Sequence, residues 1–168
     1  MSTSLLTARA YHGHSHGTVT GKVALTYEDR FLRRKVLQTT DGRSLLVDLP
    51  KTTSLDHGGV LVLEEGGEIE VIAAPEPLLS ITSDTLTRIA WHVGNRHTPC
   101  QIEPGRLLIQ PDHVIREMLR HLGAEVTDVT EPFTPEGGAY GHGRTHAHEH
   151  GHTHHHGQDH DHARSHEH

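Results

Sequence analysis

Between Thr18 and Ala74 the apolar residues come in short stretches at 22–26, 35–39, 44–48, 60–63 and 69–72. Each is too short for a helix and rich in Val, Leu and Ile, so each predicts a strand. Asp41-Gly42 lies between the second and third stretches and Gly66-Gly67 between the last two. Both pairs predict hairpin turns, because glycine takes positive φ without a steric penalty. Pro50 and Asp56-His57-Gly58-Gly59 mark loops. Short strands with a turn every ten or so residues predict a small all-β domain, a sandwich or a barrel.

The pattern changes at Pro75-Glu76-Pro77. Two prolines in three residues argue against a continuing strand or a helix interior, so a domain boundary is expected there. A strand near 78–81 then leads into a helix, with Thr82 or Ser83 as its cap and Asp84 in its first turn. Leu86, Ile89, Ala90 and Val93 fall at i, i+3, i+4 and i+7, one apolar face, and Gly94-Asn95 supply a stop. Two short strands, 100–102 and 106–109, meet at Glu103-Pro104-Gly105. Pro111 is read as the start of a second helix, buried through Val114, Ile115, Met118, Leu119 and Leu122 and ended by Gly123. A last strand is expected at 124–129. The order βαββαβ is the ferredoxin-like arrangement. The fold class is therefore α+β: an N-terminal extension over 1–17, a small all-β domain over 18–75, a ferredoxin-like βαββαβ domain over 76–135, and a tail over 136–168. The tail is expected to be disordered, because it has too little apolar surface to offset its ordering entropy.

Composition narrows the function. The chain has 168 residues and a formal charge of −7 with histidine neutral, the wrong sign for a nucleic-acid binder. One cysteine, Cys100, allows no intrachain disulfide. The N-terminus lacks a basic start followed by an apolar stretch, and no apolar run reaches the ~18 residues of a membrane span. A soluble, cytoplasmic protein is expected, without nucleic-acid or membrane partners.

Histidine changes the picture most. Twelve of the twenty histidines lie between Gly141 and His168: His142, His146, His148, His150, His152, His154, His155, His156, His160, His162, His166 and His168. They alternate with Asp, Glu, Gly, Thr, Ala and Arg, unlike the uninterrupted run of a purification tag. Neutral imidazole is the commonest metal-binding side chain, and Ni²⁺, Cu²⁺, Zn²⁺ and Co²⁺ favour it. Holding metal is the role such a tract can fill. A shorter cluster, His12-Gly13-His14-Ser15-His16, lies near the other end, and its alternate residues share one face of an extended segment.

Within the second domain stand His92, His97, His113 and His121. His97 follows Gly94-Asn95-Arg96 at a helix exit and precedes Thr98-Pro99, an exposed helix-to-strand corner. His113 lies in the first turn of the second helix. A histidine in a folded domain is more often structural than ligating, and a lone imidazole is a weak site. A tight site needs about four donors for Zn²⁺, more for octahedral Ni²⁺. Symmetry would double the count if two copies met at His97. Asp112 either orients an imidazole or favours a helix N-terminus, the second being the simpler role. Cys100, three residues after His97, is a candidate soft ligand but more commonly a packing residue. No Gly-x-Ser-x-Gly, P-loop, His-Glu-x-x-His or zinc-finger cysteine pair is present, so no catalytic role is expected.

The segment Trp91-His92-Val93-Gly94-Asn95-Arg96-His97-Thr98-Pro99 resembles the GNRH-containing stretch of the UreE family of urease accessory proteins, which are nickel chaperones. Gln110-Pro111-Asp112-His113-Val114, with Met118-Leu119 and Leu122-Gly123, is similar to that family's downstream helix. The resemblance implies a homodimer through the ferredoxin-like domain, with His97 from both copies binding Ni²⁺ at the interface. It implies that tail histidines complete that site or hold further ions, and that the β domain contacts partners as a peptide-binding module. The implied recipients are the urease accessory GTPase and the urease assembly complex. Many members carry His-x-His where this chain has Pro111-Asp112-His113, so His113 matches only the second histidine. The function so implied is delivery of Ni²⁺ to urease during active-site assembly. The same donors also bind Zn²⁺ or Cu²⁺. The rival readings are a cytosolic nickel or zinc buffer without specific handover, and a metal-dependent hydrolase, for which no carboxylate partner is evident.

Overall fold

The computed structural model describes residues 4–137. The first part is one mixed six-stranded sheet made of β1 (Leu6–His12), β2 (Val19–Leu25), β3 (Phe31–Gln38), β4 (Ser44–Ser54), β5 (Val60–Leu63) and β6 (Glu68–Ala73), in the spatial order β2-β6-β5-β1-β4-β3. The two glycine turns stand where the sequence placed them, with Gly42 at φ 88°, Gly66 at φ 97° and Gly67 at φ 91°. Between β3 and β4 the Thr40 N–H donates to the Lys22 carbonyl of β2 at 2.8 Å, and Arg43 Nη2 donates to the Thr20 carbonyl at 2.9 Å. The sheet therefore curls until its β2 edge meets the far hairpin. All six strands feed one core, including Ala8, Val23, Leu37, Val47, Leu61 and Ile69.

One central strand departs from the sequence reading. β1 lies in the stretch read as an N-terminal extension, yet it pairs with β4 in parallel and with β5 antiparallel. Its register shifts between Ala8 and Ala10. A bulge of this kind breaks the two-residue alternation by which a half-buried strand is recognised.

The second part is a four-stranded antiparallel sheet of β7 (Pro75–Thr82), β8 (Cys100–Glu103), β9 (Arg106–Ile109) and β10 (Glu125–Pro132), ordered β10-β7-β9-β8. With α1 (Leu86–Asn95) and α2 (His113–His121) it completes the βαββαβ order. Leu79, Ile81, Leu107 and Ile109 face the helices and pack on Ile89, Val93, Ile115 and Leu119. Alternate residues Leu78 and Leu108 face the other way and pack with Tyr27 and Phe133. Phe133 and Tyr27 meet edge to face at 5.4 Å. The buried Arg30 guanidinium donates to the carbonyls of Leu25 and Phe133, and the Glu76 carboxylate accepts the Tyr27 N–H at 2.8 Å. These contacts tie the two sheets together.

The strand expected near 78–81 starts earlier, at Pro75, so the two prolines at the expected boundary open β7. There β7 has a neighbour only on the β10 side, since pairing with β9 begins at Leu79↔Ile109. Residues two apart occupy equivalent sites in an antiparallel ladder, so both prolines can turn their N–H-less nitrogens to the unpaired side. α1 begins later than expected: Thr85 is its cap residue, and Ser83 Oγ accepts the Thr85 N–H at 3.0 Å in a turn ahead of it. α2 begins at His113 rather than Pro111. Asp112 is the cap, its carboxylate accepting the N–H groups of Val114 at 2.9 Å and Ile115 at 3.0 Å.

Candidate metal site

His97 owes its placement to the way α1 ends. Ile89 and Val93 bury one face of the helix, and the chain must then reverse into β8. The Arg96 N–H donates to the Val93 carbonyl at 3.1 Å and the His97 N–H to the Gly94 carbonyl at 3.0 Å. His97 itself stands at φ 55°, the left-handed position that normally falls to glycine just past a helix. It is the one non-glycine residue with positive φ among the described residues. For an L-residue this conformation costs about 1–2 kcal/mol. An outlier of this kind, on an exposed imidazole at the molecular surface, is a pointer to function.

The neighbouring groups are disposed as follows. His92 is half-buried, with Trp91 edge-on to its ring at 5.1 Å. His113 and His121 are exposed at the two ends of α2. Asp112 is committed to capping α2. Cys100 packs against the helix-facing core, and burial, with the Glu136 carboxylate second, pushes its thiol up to about 11. It therefore offers no thiolate near neutral pH. Among the described residues no three His, Cys, Asp or Glu side chains converge on a common point. His97 and His113 are not joined in any such group. The other proposed ligands, His142 to His168, lie outside the described residues.

His12, His14 and His16 lie at the end of β1 and on the exposed loop that follows. Two nearby residues went unnoticed in the sequence. His57, exposed in the loop ahead of β5, accepts the Ala73 N–H through Nδ1 at 3.0 Å, which leaves Nε2 as its other ring nitrogen. Glu68 reads in sequence as an ordinary charge opening a strand, yet its side chain is buried against the histidine loop. No local pattern announces a buried carboxylate, because its donors come from residues about fifty positions away.

Comparison with known proteins places both parts in one group. Residues 3–74 match the family model described as the UreE urease accessory protein, N-terminal domain. Residues 76–168 match the model of the UreE urease accessory protein, C-terminal domain. A urease accessory protein UreE of Ruegeria sp. is 68% identical over 147 residues, covering 87% of this chain and 84% of that protein. The protein of the same description from Ruegeria pomeroyi is 64% identical over 125 residues, 74% of this chain and 84% of its own. That from Cereibacter sphaeroides is 56% identical over 133 residues, 79% of this chain and 72% of its own.

Proposed function

Because the chain belongs to the UreE family of urease accessory proteins, we propose that it is a cytoplasmic nickel metallochaperone, with Ni²⁺ as its cargo and the urease assembly complex and its GTPase as recipients. The observation that carries the reading is the left-handed, exposed His97 at the end of α1. Two copies meeting there would place two strained imidazoles on one ion. Trp91, 65% exposed on α1, and Val114, 48% exposed on α2, are large apolar side chains that such a meeting would cover.

Two imidazoles leave a Ni²⁺ ion well short of its preferred coordination. His113 and tail histidines would fill the remaining positions reversibly, and a recipient with a better donor set would displace them. The tail, tethered to the same chain, presents its donors at high effective concentration. Transfer is then ligand exchange, with no catalytic step. Protons compete with metal for imidazole nitrogen, so acidification favours release.

The test is calorimetric titration with Ni²⁺ of a chain ending at Pro135, with sedimentation to fix the oligomeric state. A tight event of one ion per two chains is expected, and His97→Ala should remove it. Losing a ligand should cost more than the roughly 10–100-fold that follows loss of a hydrogen-bond partner behind one. If truncation alone abolishes that event, the tail is the working element and the metal-buffer reading replaces this one.

A further inference from the structure

We propose that His12, His14 and His16 form a second metal site, a three-imidazole site for a borderline divalent ion such as Ni²⁺, built within one chain on the β1–β2 loop. The rings are already grouped. The His14 and His16 centroids are 4.4 Å apart, and those of His12 and His16 are 5.2 Å apart. Imidazoles that share one ion at N–metal distances of about 2.0–2.1 Å have centroids roughly 4.5–5 Å apart. Two of the three ring pairs thus stand close to the spacing that a common ion requires, although the three side chains do not converge on one point. All three residues are exposed, so loading needs only side-chain rotation, which is fast at a surface.

The backbone that carries them is held from both ends. His12 closes β1, paired with Val60. On the other side Glu68, only 5% exposed, gathers the loop: its carboxylate accepts Ser15 Oγ at 2.6 Å, the Gly17 N–H at 2.9 Å and the His16 N–H at 3.3 Å. A buried carboxylate committed to the six-residue loop 13–18 fixes the positions from which the imidazoles swing. Such preorganisation lowers the ordering cost of binding.

Three nitrogen donors leave at least one coordination position open, the arrangement of a site that exchanges its ion. His14 also borders an open groove whose walls include His57 and residues 134–137. Gly137, the last described residue, lies on that wall too. The site does not depend on His97 or on a second copy.

The test uses the full chain and Ni²⁺ alone. Histidines are carbethoxylated with diethyl pyrocarbonate during a Ni²⁺ titration, and the products are mapped by peptide mass spectrometry. His12, His14 and His16 should become protected together at one common midpoint. In His16→Ala, His12 and His14 should lose protection while tail peptides keep theirs. In Glu68→Gln the midpoint should move about tenfold towards higher Ni²⁺, with His57 labelling unchanged as the check on folding. The proposal is overturned if the three stay reactive when the tail is saturated. It is equally overturned if His12 and His14 are protected as well in His16→Ala as in the parent.

Discussion

The β1–β2 loop and the exit of α1 present imidazole in opposite ways. On the loop three rings lie within 4.4–5.2 Å of a neighbour, on backbone gathered by Glu68, with no left-handed non-glycine residue among them. At the α1 exit one imidazole occupies a strained left-handed position, the thiol three residues on is packed away, and the Asp112 carboxylate is committed to capping α2. The first arrangement carries its donors in one chain. The second concentrates backbone strain on a single donor and leaves the others to be supplied from elsewhere. The two proposed sites thus differ in design, one crowding its donors and one aiming a single donor, and they should respond differently to perturbation.

Loosening α1 is the harshest way to test the contrast. Ile89 is fully buried between α1 and the sheet. Ile89→Ala should cost about 2–5 kcal/mol, read by urea denaturation. Metal held at His97 should weaken with it, whereas Ni²⁺ protection of His12, His14 and His16 should not change. If both weaken in step, the Tyr27–Phe133 joint couples the two sheets and the sites are not independent.

A gentler probe separates the strain from the ligand. His97→Gly removes the imidazole but suits φ 55°. It should stabilise the fold by up to about 1 kcal/mol, since an L-residue costs about 1–2 kcal/mol here and glycine loses more chain entropy on folding. His97→Ala keeps the steric penalty and should gain nothing. The two variants should be equally poor at interface metal binding. Equal stabilities for both would mean that the turn, rather than the residue, carries the cost, and that His97 is not strained there.

Much of this was legible in the chain itself, for physical reasons that differ by element. The βαββαβ half could be read because its helices show a clean apolar face, as at Ile89 and Val93, and because its short apolar strands are set off by breakers such as Glu103-Pro104-Gly105. The hairpins at Gly42 and Gly66-Gly67 could be read because positive φ has a residue signature. β1 could not, since its bulge scrambles the alternation. Nor could the strand through Pro75 and Pro77, where tolerance of proline depends on which neighbour is missing. At the candidate sites, sequence singled out His97 and the triplet His12, His14 and His16. It could not show the left-handed turn under the first or the Glu68 clamp under the second, because both depend on contacts that only the folded chain makes.

A third probe concerns Cys100, and it bears on whether the α1 exit truly offers a single donor. Burial and the Glu136 carboxylate push this thiol up to about 11, from an ordinary value near 9. Thiolate is the reactive and metal-binding form, so at pH 8 the native protein should alkylate with iodoacetamide about two orders of magnitude more slowly than the unfolded chain. The folded state resists losing this proton, so the contribution to stability is intact below pH 9 and is lost as pH rises from there through 11. A downward slope of the urea midpoint over that window should appear, and Cys100→Ser should remove it. Added Ni²⁺ should leave the alkylation rate unchanged, with no thiolate-to-nickel charge-transfer band. If Ni²⁺ instead protects Cys100, metal binding has drawn the thiol out of the core. The α1 exit would then be a two-donor site in one chain, and its contrast with the histidine loop would largely disappear.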